Sequence, residues 1–369
     1  ESLLHNGREI AIHADIEDEG QTVSFNEPKI GTKATGKDGK KELSLSAATT
    51  IVDTVKYENL AVGQEYTLKG VLMDKSTGKP VIVGDKEVTA QTIFKPEQAN
   101  DTVDVTFTFD ASSLKAKEVV VFERLYIGDA EIAAHADIED KDQTVSVTEP
   151  KIGTSASGKD GEKQLAISKA ATIIDKVKYE GLTIGEKYTL KGVLMDKATG
   201  KALLVETTFT PEKADGAVEV TFTFDASGLK GKEIVVFERL YIGENEIAAH
   251  TDIEDKNQTV SFTAYAMKLT KIDRATNKPL DGAEFTLYGE DGKEIKLSRD
   301  KDGAYIPDEK GSAIISTVDG VAIIKDLTDQ KYTLREVTVP KGYVGYTEPI
   351  PFEMETRDTE DDPFPVTVY

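Results

Sequence analysis

The stretch Val103-Asp104-Val105-Thr106-Phe107-Thr108-Phe109 places an apolar residue at every second position, the period of a strand with one face on a core. Glu118-Val119-Val120-Val121-Phe122-Glu123 is β-branched and apolar, again a strand signal. Turn residues punctuate such stretches at Lys37-Asp38-Gly39, Ser76-Thr77-Gly78-Lys79-Pro80 and Gly128-Asp129. The pattern predicts strand nearly throughout, with one short helix over Leu43–Val55. Many short strands between turns predict β-sandwiches.

Self-similarity sets their number. Glu149 to Thr199 (EPKIGTSASGKDG…YTLKGVLMDKATG) repeats Glu27 to Thr77 (EPKIGTKATGKDG…YTLKGVLMDKSTG) at an offset of 149 − 27 = 122. TFTFDASGLKGKEIVVFERLYIG from Thr221 repeats the segment from Thr106 at 221 − 106 = 115. The difference falls between Val83 and Phe94, where the first repeat carries a hairpin-like VGDKEVT stretch. Units this long are tandem domains, since solenoid repeats run roughly 20–50 residues. Glu1, Leu3, Glu9-Ile10-Ala11, His13 to Asp18 and Gln21-Thr22-Val23 match Glu123 through Val145 at the same offset of 122. Residues 1–27 are therefore expected to be the tail of a preceding repeat, cut from a longer array. The expected boundaries are 1–27 for this stub, 28–148 and 149–264 for the repeats, and 265–369 for a further β-sandwich. That last unit contains KIDRATNKPLDGAEFTLY and YTLREVTVPKGY.

Composition narrows the chemistry. The 369 residues carry 45 Lys+Arg and 67 Asp+Glu, a net charge of −22, which repels nucleic acid and anionic lipid. With no Cys there are no disulfides, zinc-thiolate sites or cysteine nucleophiles. No apolar run approaches the 18 or so residues of a membrane span. Gly31–Asp38 and Gly153–Asp160 approach a phosphate-binding loop, but each ends in Asp where Ser or Thr must reach magnesium. The acidic run Asp137–Asp142 lacks the alternating ligands and central Gly of a calcium loop and reads as a solvated turn. No cofactor or metal is expected.

Three of the four His recur in one motif, His-(Ala/Thr)-Asp-Ile-Glu-Asp: His13, His135 and His250. A Gln follows eight residues on, at Gln21, Gln143 and Gln258. Eight extended residues would hold His and Gln roughly 26 Å apart, so they meet only if the acidic segment turns back. The plain alternative is a partly buried His that supports a turn.

The repeats, with Val121-Phe122-Glu123-Arg124-Leu125 and Val236-Phe237-Glu238-Arg239-Leu240, resemble the VaFE-type surface repeats of Gram-positive bacteria. The resemblance implies Ig-like sandwiches in an elongated array, each closed by an intramolecular Thr–Gln ester. It places the crosslinks at Thr32–Gln143 and Thr154–Gln258, with each Thr in the first strand and each Gln in the last. The supporting groups fall on Asp53, Glu123 and His135 in the first repeat and on Asp175, Glu238 and His250 in the second. Thr35 becomes Ser157 in the second repeat, which favours Thr32 and Thr154 as nucleophiles. A Thr hydroxyl needs a base, and a carboxamide must be polarised before its nitrogen leaves. A His–carboxylate pair and a protonated buried carboxyl answer those needs.

The last unit resembles the B-type, prealbumin-like repeats of collagen-binding and pilin proteins, which often form a Lys–Asn isopeptide bond beside a buried Glu. The Lys would be Lys271 and the Glu would be Glu336, but no acceptor Asn follows Pro365-Val366-Thr367-Val368-Tyr369. No isopeptide bond is therefore expected in this segment. Together the resemblances imply a stalk section of a cell-wall-anchored adhesin or pilin, monomeric as a fragment, with neighbouring repeats as partners. The only chemistry expected is self-modification, without turnover. The alternative is an adhesive domain recognising a host surface ligand through its loops.

Overall fold

The computed structural model describes residues 1–24, 26–200, 202–355 and 357–369. Among them there is no helix, and strands run from Ser2–His5 to Phe364–Val368. The chain divides into Glu1–Thr148 and Glu149–Tyr369.

In the first unit one sheet orders Asp101–Phe109, Thr49–Glu58 and Lys29–Gly36 side by side. The facing sheet runs Thr89–Phe94, Tyr66–Asp74, Lys117–Ile127, Thr144–Thr148 and Glu42–Ser44, with Ala130–His135 beside Lys117–Ile127. Strand alternation sends Ile51, Val55, Val105 and Phe107 inward from the first sheet to meet Leu68, Leu72, Val121 and Leu125 from the second.

The expected helix over Leu43–Val55 is not formed. Glu42–Ser44 and Thr49–Glu58 are strands, and Ile51, Asp53, Val55 and Tyr57 alternate into the core. β-Branched residues in that run favour the pleat over the helix. The VGDKEVT insertion does form a hairpin, Ile82–Val83 against Lys86–Glu87. Both of its turn residues, Gly84 and Asp85, have positive φ, as a tight two-residue turn requires.

The second unit begins with the same two sheets. Lys151–Ser157, Ala171–Glu180 and Gly216–Phe224 face Gln164–Ala166, Thr259–Thr263, Glu233–Ile242, Tyr188–Asp196 and Ala202–Phe209. A further sandwich follows within this unit. Its five-stranded sheet has Tyr265–Lys271 between Val321–Leu327 and Phe364–Val368, and its four-stranded sheet has Glu284–Tyr288 beside Tyr332–Thr338. Met267, Leu269, Phe285, Leu287, Ile324 and Leu334 fill the space between them. Only Ala264, itself buried, separates the strand Thr259–Thr263 from Tyr265–Lys271. The Asp329 backbone N–H donates to Ile167 O at 2.8 Å across this join, and Lys230 pairs with Asp326 and Glu360. Ala166 packs into the core of the last sandwich.

Candidate functional site

Thr32 points inward from the outermost strand of the three-stranded sheet, and its neighbour across the ladder is Val55. Gln143 arrives from the other sheet. It sits in the turn just ahead of Thr144–Thr148, one residue short of the strand in which the resemblance placed it. Two backbone bonds fix that turn: Ala34 N–H donates to Asp142 O at 2.9 Å, and Val121 N–H donates to Gln143 O at 3.1 Å. The first ties it to the Thr32 strand and the second to the opposite sheet. Gln143 is thus fully buried, with its amide N–H donating to the Thr32 hydroxyl oxygen.

The second repeat reproduces the arrangement. Gln258 donates its amide N–H to Thr154, Ala156 N–H donates to Asn257 O at 3.0 Å, and Val236 N–H donates to Gln258 O at 3.0 Å.

Each His is brought to this place because the acidic segment does turn back. Asp140 N–H donates to Asp137 O at 3.2 Å, and His135 Nε2 lies 2.7 Å from Asp140 Oδ2. His250 and Asp255 stand 2.8 Å apart in the same way. Burial raises the Asp140 carboxyl, but the His135 contact and backbone N–H donors outweigh it and hold the group low. Asp255 is held low likewise. These carboxylates orient their imidazoles, a part that the sequence reading gave to no residue. The signal was present, since each is the last Asp of its His motif.

Asp53 and Glu123 complete the first site, and neither is solvent-accessible. Burial pushes Asp53 up to about 7, against the pull of the Thr32 hydroxyl and His135. Burial pushes Glu123 up to about 9, helped by the charge of Asp53. No oxygen of either carboxyl, nor Gln143 Oε1, has a hydrogen-bond partner in good geometry among the described residues. A buried ionised carboxylate left so is costly, which favours the protonated acid. Asp175 and Glu238 are likewise raised by desolvation, Glu238 further because Asp175 is beside it.

One more residue shapes the site. A Cβ at Gly70 would lie 2.2 Å from Glu123 Oε1 and 2.4 Å from the Phe107 ring, and one at Gly192 would lie 2.5 Å from Glu238 Oε1. Glycine on the adjacent strand therefore makes the space in which the carboxyl lies. A Gly inside the apolar run YTLKGVLMD is the sequence sign of such close approach.

In the last sandwich Lys271 and Glu336 are both buried, with Nζ 3.0 Å from Oε1 and 3.3 Å from Oε2. Tyr346 N–H donates to Glu336 Oε2 at 2.7 Å. Lys271 lies opposite Val368 in the parallel ladder.

Fold and site together define a class: tandem β-sandwiches that each bury a Thr from one sheet against a Gln entering from the other. The chain belongs to the family of T-Q ester bond containing domains, whose model matches residues 28–147 and 150–262. A prealbumin-like fold domain model matches residues 265–362. No curated protein sequence matches the chain. Among solved structures it is similar to an adhesin from Mobiluncus mulieris containing intramolecular disulfide, isopeptide and ester bond cross-links. That match has 14% identity and a TM-score of 0.29, covering 81% of this chain and 98% of the other. It is also similar to BcpA, the major pilin subunit of Bacillus cereus, at 15% identity and TM-score 0.32, covering 92% and 99%. The pilus 2b backbone protein of group B streptococcus is similar at 17% identity and TM-score 0.31, covering 58% and 96%.

Proposed function

We propose that the chain is a stalk segment of a Gram-positive surface adhesin or pilin, stiffened by self-formed esters at Thr32–Gln143 and Thr154–Gln258. The observation that carries this reading is the pairing of each Gln amide with a Thr hydroxyl beside two buried, raised carboxyls, in both repeats.

Asp53, near neutrality and beside the Thr32 hydroxyl, takes the proton as Thr32 Oγ1 attacks Gln143 Cδ. Protonated Glu123 donates to Gln143 Oε1 and supports the developing oxyanion. The Cδ–Nε2 bond then breaks, and the nitrogen departs with the hydroxyl proton as ammonia. His135, oriented by Asp140, relays protons between the site and its half-buried surface. The fold holds the partners in place indefinitely, so proximity substitutes for rapid chemistry. Each domain reacts once.

The bond joins opposite sheets of the sandwich over 111 residues of sequence in the first repeat and 104 in the second. Tension entering near Thr32 and leaving near Gln143 would pass through the covalent link instead of the hydrogen-bonded ladders. A cysteine-free chain gains a crosslink that reduction does not open. The setting is extracellular, anchored to the cell wall, with neighbouring subunits as partners and any host ligand held by other domains. Mass measurement of the denatured, intact chain tests the reading. Two ammonia losses support it, and an unmodified mass defeats it.

A further inference from the structure

Two lysines that no step above uses sit against the reacting turns. Lys41 Nζ donates to Asp142 O at 2.5 Å, the carbonyl that also accepts from Ala34 N–H at 2.9 Å. That carbonyl belongs to the peptide bond leading into Gln143, so whatever holds it holds the root of the Gln side chain. In the second repeat Lys163 Nζ donates to Asn257 O at 2.5 Å, and also to Ala156 O on the Thr-bearing strand. Each lysine is itself tied to the strand that follows the Gln. Ser146 N–H donates to Lys41 O at 2.8 Å, and Ser261 N–H donates to Lys163 O at 2.9 Å. The turns that carry them read GKDGKK from Gly36 and GKDGEK from Gly158, so this lysine recurs where its neighbour Lys40 becomes Glu162.

An ammonium suits this place. It offers three donors and needs no acceptor, and a carbonyl already bonded to one N–H keeps a second lone pair. A hydrogen bond from a charged donor is roughly twice as strong as a neutral one. The charge also lands near the base, since Ala34 is the ladder partner of Asp53 and Ala156 that of Asp175. Around Asp53 stand the Thr32 hydroxyl on one flanking strand, Asp104 on the other, Glu123 and His135 from the facing sheet, and Lys41. Burial raises Asp53; Thr32, His135 and Lys41 oppose the rise, and Asp104 adds to it. Lys163 opposes the rise of Asp175 in the same way.

We propose that Lys41 and Lys163 are positioning residues for ester closure. Each fixes the carbonyl ahead of its Gln at the Thr-bearing strand and sets a positive charge near the carboxyl that takes the hydroxyl proton. The charge half of the inference rests on the ester reading above, whereas the clamp half rests on the hydrogen bonds alone.

The test reads the first repeat by itself in Thr154→Ala, where a single ammonia loss reports Gln143. Closure after refolding is followed by intact mass at a series of pH values. Adding Lys41→Met should slow it and move its rising limb to higher pH, because the positive charge no longer favours ionised Asp53. Below that limb, closure slows about tenfold for each pH unit that the limb moves. Lys41→Arg keeps the charge and should restore the limb. An unmoved limb overturns the charge half, and closure of Lys41→Met as fast as its parent at every pH overturns the inference. In Thr32→Ala, whose first repeat cannot close, adding Lys41→Met should speed hydrogen exchange at the Ala34 amide and leave the Ala156 amide unchanged. Unchanged exchange at Ala34 overturns the clamp half. If Thr154→Ala itself loses no ammonia, the ester reading falls, and the exchange measurement still decides the clamp.

Discussion

Gln143 meets Thr32 across 111 residues of chain because its turn is bonded to both sheets, and Gln258 meets Thr154 in the same way across 104. The contact is thus a property of the closed sandwich, and only a folded domain can react.

Thr154→Ala removes the second nucleophile and leaves the first site untouched. The expected result is one ammonia loss in place of two, with the strands intact. A crosslink closing about 100 residues is worth roughly 4.7 kcal/mol by the loop-entropy argument used for disulfides. The second repeat should therefore melt earlier and be cut faster by protease. Identical mass and melting in variant and parent would mean that no bond forms there.

Gly70→Ala tests the space that holds Glu123. The added methyl overlaps Glu123 Oε1 and the Phe107 ring, so the carboxyl must leave its present position. Loss of a positioned acid typically slows reaction 100-fold or more. Closure of the first repeat should be slowed selectively, as seen by following mass after refolding, while the second proceeds normally. Equal closure rates in both repeats would show that Glu123 does not act on Gln143.

Closure should depend on pH as a bell. It needs Asp53 ionised and Glu123 protonated, so the rate rises through about 7 and falls through about 9. Stability before closure follows the same groups with a definite sign. Their folded pKa values lie above the unfolded ones, so the folded state binds protons more tightly. In Gln143→Ala, which cannot close, the stabilisation should be complete below about pH 4 and lost as pH rises through about 7 and then 9. A first repeat whose hydrogen-exchange stability rises over that range would contradict the assignment.

What could be read from the sequence follows from which signals are local. Strand alternation and a long internal repeat are local or exact, so the all-β class and the His–Gln motif were legible. The strand Thr49–Glu58 is harder to read because its inward series contains Asp53, a polar residue among apolar ones. The small residues Ala47 and Ala48 just ahead of it mimic a helix start. Gly70 against Glu123 is a contact between neighbouring strands far apart in sequence: the Gly inside its strand signals a close approach, but no pattern within that strand names the group that approaches. Asp140 escaped for a different reason: an acidic turn looks solvated until its fold-back toward His135 is known.

Lys271 and Glu336 make the last case, because both side chains are buried and each is the other's ion-pair partner. Removing Lys271 leaves the buried Glu336 carboxyl with the Tyr346 N–H as its one remaining hydrogen-bond donor among the described residues. Lys271→Met should therefore destabilise the last sandwich by about 3–5 kcal/mol. Replacing both, as in Lys271→Met with Glu336→Leu, should recover most of that loss, since an apolar pair of similar volume carries no desolvation cost. Hydrogen exchange of Tyr265–Lys271 under denaturant reads this sandwich apart from the repeats. If the double variant proved no more stable than the single one, the cost would lie in lost packing, and the ion pair would not be what holds the strand.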